Sequence, residues 1–358
     1  MAVGKHFTKF RVALIIIAVG LGLLALRRPR GEVVAALPED QVEFTVEIDS
    51  ETYKLANGMA YRVQSDGKWE IVERLFDPAE VAQRWVTEGD QILRVTDDRT
   101  MKLPVRVPFA DGFEDLPEGV SGLRQMIGPE RGWSDLTLQS PQTPTVPDYV
   151  KLRQRILTEQ GDFLDARVEP LAVAAHTGQR GLRCFCPAVT SEMICTKASL
   201  GTGLVYFKSG DTLWFQGWFR VVGSRSPHTL ADFECSYAHM SPGPRICLGE
   251  EGFLEVELKA ISKPRYQQPD GKRLRFPTDQ WVCVTAEFQL DTVHGRVKLW
   301  QDRQLVVDAT GPNFPFPSAV IDKMELGISA HSYGTEPATL DVDDVQISRT
   351  ELALPPPE

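Results

Sequence analysis

The sequence predicts a mainly β protein, an antiparallel sandwich or barrel in the C-terminal two-thirds, preceded by a small α+β module and an N-terminal apolar helix. Three observations predict it. From "GQRGLRCF" at Gly178 onward, strand-like segments follow one another, separated by Gly, Pro, Asn and Asp turns with no helical pattern between them. Within those segments apolar and polar residues alternate with a period of two, as on strands with one dry face and one wet face. At 358 residues, with 42% apolar and 25% charged, the chain is long enough to bury one large core and a second smaller one.

The chain opens on "KHFTKFRVALIIIAVGLGLLALRRPRG", where Val12 to Leu26 is uninterrupted apolar sequence between Lys5, Lys9 and Arg11 on one side and Arg27, Arg28 and Arg30 on the other. As a helix these residues rise roughly 22 Å, so they cross the roughly 30 Å hydrocarbon layer only with Arg11 and Arg27 snorkelling to its two surfaces. The alternative is a cleaved signal peptide. No small-x-small site directly follows the run, and Val34-Ala35-Ala36 is late, so residues 1–31 are expected to be an uncleaved membrane anchor with the bulk of the chain extracytoplasmic. "GEVVAALPEDQ" then connects to the module, giving 32–105 as connector plus α+β unit. In it "VEFTVEI", "MAYRVQ", "KWEIVERL" and "QILRVT" read as strands. "DPAEVAQRWV" reads as a helix with Asp77 at its N-cap and Pro78 in its first turn. Residues 106–350 form the large β unit, with a Pro-rich excursion in "WSDLTLQSPQTPTVPDYV" and one helix in "DYVKLRQRILTEQ"; 351–358 are a tail.

Charge and cysteine content limit the function. A net charge of -10, with no basic stripe outside the N-terminal flanks, excludes the phosphate neutralisation that a nucleic-acid binder needs. All six cysteines lie between Cys184 and Cys283. An even number beyond an export-type segment is compatible with disulfides, and Cys235 and Cys247 bracket a Pro-Gly-Pro turn that would let them face each other across a hairpin. The other reading makes them small buried hydrophobes. With no CxxC and no ligand spacing among the six histidines, zinc is not expected.

Alternation sorts the side chains. In "LWFQGWFRVV" Phe215, Phe219 and Val221 point inward, and Trp214, Gln216, Trp218 and Arg220 outward. In "LEVELKA" Glu255, Glu257 and Lys259 face out, and in "WVCVTAEFQ" Trp281, Cys283, Thr285, Glu287 and Gln289 do so. "RVKLWQD" sends out Arg296, Lys298 and Trp300, and "MELGISAH" sends out Glu325, Gly327, Ser329 and His331. Indole rings beside charges and amides suit a sugar, whose CH faces stack on aromatic rings and whose hydroxyls need donors and acceptors. The other reading of the same alternation is a solvated sheet with cross-strand Trp pairs.

"FPTDQWVCVTAEFQLDTVHGRVKLWQDRQLVVDATG" (276–311), with "KPRYQQ", "MELGISAHS", the closing "TLDVDDVQISR" and the early "ADGFED", resembles the laminin G-like and heparin-lyase-like jelly rolls of the concanavalin A type. The resemblance covers the C-terminal two-thirds. It implies two curved antiparallel sheets whose concave side commonly binds polysaccharide, a structural Ca²⁺ tying the first strand to the last, and in the lyases a Tyr acid or base. For Ca²⁺ the matching residues are Glu114 and Asp344, with Asp343 and Asp111 nearby; oxygen ligands suit that ion. The bland reading makes "DGFE" a turn and lets Asp341 and Asp343 solvate an edge strand. The lyase motif is altered: Glu325 stands near the expected lysine, Ser329 or His331 where a tyrosine is expected, and Arg303 in place of a hairpin glycine. A lyase would then have to use Tyr237, His239 and Arg220 to remove the C5 proton of a uronate.

Three functions follow as expectations. The first is a membrane-anchored extracytoplasmic protein that binds glycan or another surface polymer without catalysis through Trp214, Gln216, Trp218, Arg220, Trp300 and His331. The second is a polysaccharide lyase acting by β-elimination. The third is a protein-interaction scaffold of an envelope complex that uses the N-terminal module.

Overall fold

The computed structural model describes residues 32–48, 51–96, 99–223, 229–249, 251–259, 265–332 and 336–357. The expected membrane anchor lies outside these residues; among those described, no helix is long and apolar enough to cross a membrane.

Two antiparallel sheets form the large unit. One is seven-stranded, in the order Asp135–Gln139, Thr196–Thr202, Lys323–His331, Thr229–Glu234, Gly243–Leu248, Leu254–Lys259, Arg265–Tyr266. The other is eight-stranded. Its order is Arg167–Leu171, Gly181–Cys186, Ala338–Ser348, Thr212–Val222, Val282–Gln289, Arg296–Gln301, Gln304–Thr310, with Phe109–Asp111 pairing further along the Ala338–Ser348 strand. The expected sandwich is therefore present, and its first strand does meet its last. Alternation decides which side chains fill the space between the sheets. Phe215, Phe219, Val221, Val284, Ala286 and Phe288 of one sheet and Phe233, Leu254, Leu326 and Ile328 of the other are fully buried in one core.

Two helices flank the sandwich. Val146–Leu157 corresponds to the expected helix, starts at the Pro-rich excursion and is capped by Asp148, which accepts the Thr145 N–H at 3.1 Å. Gly119–Met126 is a helix that the sequence reading did not anticipate; it buries Leu123 and Met126. In the N-terminal module the expected strands appear as Phe44–Ile48, Met59–Val63, Trp69–Arg74 and Gln91–Val95, but the helix is a single turn, Pro78–Val81. Asp77 caps it through the Ala79 N–H at 2.9 Å. The chain then leaves the helix for a further strand, Trp85–Glu88, because Trp85 has aromatic partners on the sandwich, Tyr206 and Tyr237.

The module's own core is small: Ala56, Tyr61 and Trp69. Its hold on the sandwich is correspondingly important. Phe76 stacks on Phe316 with ring centroids 5.2 Å apart, and Arg94 reaches Asp322, a fully buried carboxylate, at 3.0 Å. Asp322 also accepts the Ser236 N–H at 2.6 Å and the Ser236 hydroxyl at 2.8 Å.

The cysteines settle as buried thiols. All six are free and five are buried, so the disulfide expectation is corrected. Cys235 lies in the main core near Tyr237, whereas Cys247 turns to the outer face beside Glu255, so the two point to opposite sides of the sheet.

Removing the Asp322 carboxylate takes from Arg94 the buried charge that Asp322 sets against it and from the Ser236 N–H its acceptor. Asp322→Ala is expected to cost about 3–5 kcal/mol, read from urea unfolding. A loss no larger than that of an exposed control such as Asp66→Ala would show that this contact does not hold the units together.

Candidate functional site

Each sheet has an outer face, and the two differ in chemistry. On the seven-stranded sheet, alternate positions of four neighbouring strands carry ionic side chains: Lys323 and Glu325, Asp232 and Glu234, Arg245, and Glu255, Glu257 and Lys259. Register brings them together, with Asp232 opposite Glu325, Glu234 opposite Lys323, and Arg245 opposite both Asp232 and Glu257. One carboxylate oxygen from each of Asp232, Glu234 and Glu325 lies within 4.8 Å of the others. Two lysines supply the counter-charge. Lys323 bonds Glu325 at 2.5 Å and Asp135 at 3.2 Å, and Lys259 bonds Glu234 and lies 3.7 Å from Asp232. Further along, Arg245 pairs with Glu257, and Arg265 bridges Glu257 at 2.6 Å and Glu255 at 3.1 Å.

These acids are sunk beneath the bases. Asp232, Glu234, Glu255 and Glu257 are at most 3% exposed, whereas the Arg265 side chain keeps 37% of its surface. Such burial requires near-complete pairing, since an unpaired buried charge is strongly destabilising. Pairing is not quite complete: Asp232 Oδ1 and Arg245 Nε, on strand partners, have no hydrogen-bond partner. At one end of this face the Val146–Leu157 helix brings Arg153 onto Asp135 and half-buries Tyr149, whose hydroxyl is raised in pKa by that burial and then by Glu325 and Asp135.

The carboxylates are driven apart in acidity. Burial, followed by the charge of Glu325, pushes Glu234 up to about 7. Burial opposes ionisation of Glu325 too, but Lys323 and Lys259 outweigh it and hold that group down at about 2. The two carboxylates are thus shifted in opposite directions, Glu234 up and Glu325 down.

The outer face of the eight-stranded sheet carries the aromatic residues. Trp214, Gln216, Trp218 and Arg220 do share it, as alternation requires, and Trp300 joins them from the neighbouring hairpin. They do not form one open platform. Trp214, only 8% exposed, stacks on Trp300 at 5.8 Å. Trp218 stacks on His176 at 3.9 Å, and Trp281 meets the same imidazole edge-on. Arg220 lies over Trp281 at 4.8 Å and bonds Asp341 at 2.7 Å, and Arg183 bonds Asp341 from the other side at 2.6 Å. Between the two aromatic groups Gln216 donates to Thr285 Oγ1 at 3.0 Å and to the Ala353 carbonyl at 2.9 Å, so the tail crosses the face there.

Other expected site residues are placed elsewhere. His331 is on the seven-stranded sheet, 2% exposed, with Nε2 3.1 Å from the Glu336 carbonyl, and is not part of the Trp face. Tyr237 and His239 lie in a turn rather than on a strand face. The Tyr237 hydroxyl accepts the Val320 N–H at 2.9 Å, and His239 lies 3.5 Å from Glu73 of the N-terminal module. Burial raises the Tyr237 pKa far above its ordinary value. With Arg220 on the opposite sheet, this trio is dispersed by the need of Tyr237 to pack against Phe76 and Trp85. The sequence did place Glu255, Glu257, Lys259 and Glu325 on outer faces. Their convergence depends on strand order, although the repeated pattern of charges two apart in "ADFE", "LEVELK" and "KMEL" was its available signal.

Glu114 and Asp344 converge on one loop, 176–180. Glu114 accepts the N–H of Gln179 at 2.9 Å and of Arg180 at 3.2 Å; Asp344 accepts the Thr177 hydroxyl at 3.0 Å and lies 3.2 Å from His176 Nδ1. Asp343 accepts the N–H of His176 and Thr177 at 2.7 and 3.1 Å. Both aspartates reach the loop because of a register shift, in which Gln216 faces Gln346 but Trp218 faces Asp343, with Asp344 in the left-handed region at φ 49°. Gly178 has φ +63°, and a Cβ there would lie 2.1 Å from Glu114. Burial raises Asp343 to about 6. The oxygens are of the kind a hard cation such as Ca²⁺ takes, but here those of Glu114 and Asp343 accept N–H bonds and those of Asp344 face the Thr177 hydroxyl and His176, and the three do not group within 4.8 Å of one another as Asp232, Glu234 and Glu325 do.

No family profile and no curated protein matches the chain. Among solved structures it is similar to the cellulose-induced protein Cip1 (14% identity, TM-score 0.45, covering 69% of this chain and 100% of that one). It is also similar to the endo-β-1,4-glucuronan lyase of the fungus Trichoderma reesei (10%, 0.36, 61% and 96%) and to domain 4 of the arabinanase AbnA of Geobacillus stearothermophilus (15%, 0.34, 60% and 80%). The second is named a lyase and the third was solved in complex with arabinotriose; at such scores nothing they bind or cleave passes to this chain.

The acidity of Glu234 gives a pH signature. Its pKa is raised from 4.5 to about 7, so the folded state holds the extra proton, and stability falls as pH rises from the ordinary carboxylate range through about 7. Asp343 contributes in the same direction, and the contribution of Glu325 is lost only on acidification. Glu234→Gln is expected to flatten the decline in urea midpoint between about pH 5 and 8; a variant with the parent's slope would remove Glu234 as its source.

Proposed function

We propose that the protein is a non-catalytic, membrane-held extracytoplasmic protein that binds a hydroxyl-rich surface polymer, a glycan, on the ionic face of the seven-stranded sheet. The observation that carries this reading is the interleaving of buried carboxylates with lysine and arginine heads across four adjacent strands. A sugar hydroxyl both donates and accepts. The lysine and arginine heads, which keep part of their surface while the acids beneath hold them in place, donate to hydroxyl oxygens, and because the ions already pair with one another, little further ordering is needed on binding. The absence of catalysis is supported by the separation of Tyr237 and His239 from Arg220, and membrane attachment by the apolar run Val12 to Leu26 between basic flanks.

Affinity electrophoresis through gels containing neutral and uronic-acid polysaccharides tests the reading. The parent is expected to be retarded in at least one gel, and Glu234→Gln/Lys259→Gln, which removes a paired charge of each sign, to lose most of that retardation while still unfolding cooperatively. A parent that runs freely in every gel would refute glycan binding. Release of unsaturated ends would refute the absence of catalysis.

The same proposal includes a structural Ca²⁺ held by Glu114 and Asp344, with Asp343 beside them. The ion would tie the loop 176–180 to the first and last strands. Saturating Ca²⁺, roughly a hundredfold above its dissociation constant, then stabilises the fold by about 2.7 kcal/mol. Glu114→Gln/Asp344→Asn should unfold at the same temperature with Ca²⁺ or with chelator, and a parent indifferent to Ca²⁺ would dismiss the site.

A further inference from the structure

We propose that the aromatic face of the eight-stranded sheet is a second carbohydrate-contacting surface, kept closed by the chain's own C-terminal tail, 351–357, which lies across it as a displaceable strap. This goes beyond the ionic-face reading, concerns the opposite sheet, and does not depend on it.

The way the tail is held is the first support. Among the described residues, none of 351–357 belongs to a strand, and no backbone-to-backbone hydrogen bond joins it to the sheet. Two side chains hold it instead. Gln216 donates to the carbonyl of Ala353 at 2.9 Å, and Arg303, at the tip of the adjacent hairpin, donates to that of Pro355 at 2.5 Å. The two carbonyls are two residues apart, as in an extended segment that turns every second carbonyl to one side. Pro355, Pro356 and Pro357 have no N–H and cannot join a ladder. A strap whose hydrogen bonds to the sheet all run through its acceptors can leave without breaking the sheet, and it regains chain entropy when it does.

What lies beneath is the second support. Gln216 sits between Trp214 and Trp218 on one strand, so the tail passes between the Trp214–Trp300 stack and the Trp218–His176–Trp281 group. Leu352, Leu354 and Pro355 are half-buried, and Trp214 and Gln216 are at most 9% exposed. The tail carbonyls stand in for ligand oxygens. Once the strap leaves, an amide and a guanidinium become free donors beside an indole stack, the combination that takes a sugar ring by its CH face and its hydroxyls together.

The test compares the full chain with a form ending at Thr350, using gels containing xylan or hydroxyethylcellulose, with acrylamide quenching of tryptophan fluorescence in parallel. The shortened chain is expected to be at least twofold more retarded in one of the gels and more strongly quenched. Trp300→Ala should abolish the added retardation in the shortened chain and change nothing in the full one. A synthetic peptide, TELALPPPE, added at millimolar concentration to the shortened chain should reverse both effects, which separates an uncovered surface from a misfolded one. Equal retardation and equal quenching of the two forms would overturn the proposal, as would added retardation that survives Trp300→Ala or a peptide without effect. Loss of the ionic face by Glu234→Gln/Lys259→Gln leaves the added retardation of the shortened chain intact if the two surfaces are separate.

Discussion

Buried carboxylates that must find cations across strands organise this molecule. A sandwich strand has one face for the core, and the pleat sends every second side chain to the other. Where that other face is itself shielded, an acid there survives only if its neighbours compensate it. Asp341 is clamped by Arg183 and Arg220 on the two strands that flank its own. Glu234 and Glu325 are each bonded by a lysine, and Asp322 fastens the N-terminal module through Arg94. Apart from Lys323, which shares a strand with Glu325, the pairing is cross-strand or between units, so it also fixes register and docking.

The same constraint gives the two outer faces different capacities. On the seven-stranded sheet the charges are already matched, and the surface offers partly exposed lysine and arginine heads fixed by the acids buried beneath them. On the eight-stranded sheet the charges gather at the two ends, Asp341 with Arg183 and Arg220 at one and Glu287 with Lys298 and Arg296 with Asp308 at the other, and the middle is left to indoles, an amide and a threonine. That middle is apolar enough to need a cover and polar enough to bond one, and the tail supplies carbonyls for Gln216 and Arg303.

Local backbone departures place the remaining acidic residues. The shift at Asp344 turns two consecutive aspartates toward the loop 176–180, which an undistorted strand forbids because successive side chains point to opposite faces. Gly178 lets that loop approach Glu114 closely.

By itself the sequence determined what depends on neighbours within a strand. These are the antiparallel β class, the inward set Phe215, Phe219, Val282, Val284 and Phe288, the outward set Trp214, Gln216, Trp218 and Arg220, and the cap at Asp77. A period of two is a local property and is legible residue by residue. Only the tertiary structure decided what depends on which strands lie side by side. It gathered Asp232, Glu234, Lys259 and Glu325, put His331 on the sheet opposite Trp218, carried Tyr237 into the contact with Phe76, and drew the tail over Gln216. Strand order and long-range docking follow from how whole faces match in shape and charge, and that information is spread over residues more than 80 positions apart, as in the bond between Tyr237 and Val320 or between Gln216 and Ala353.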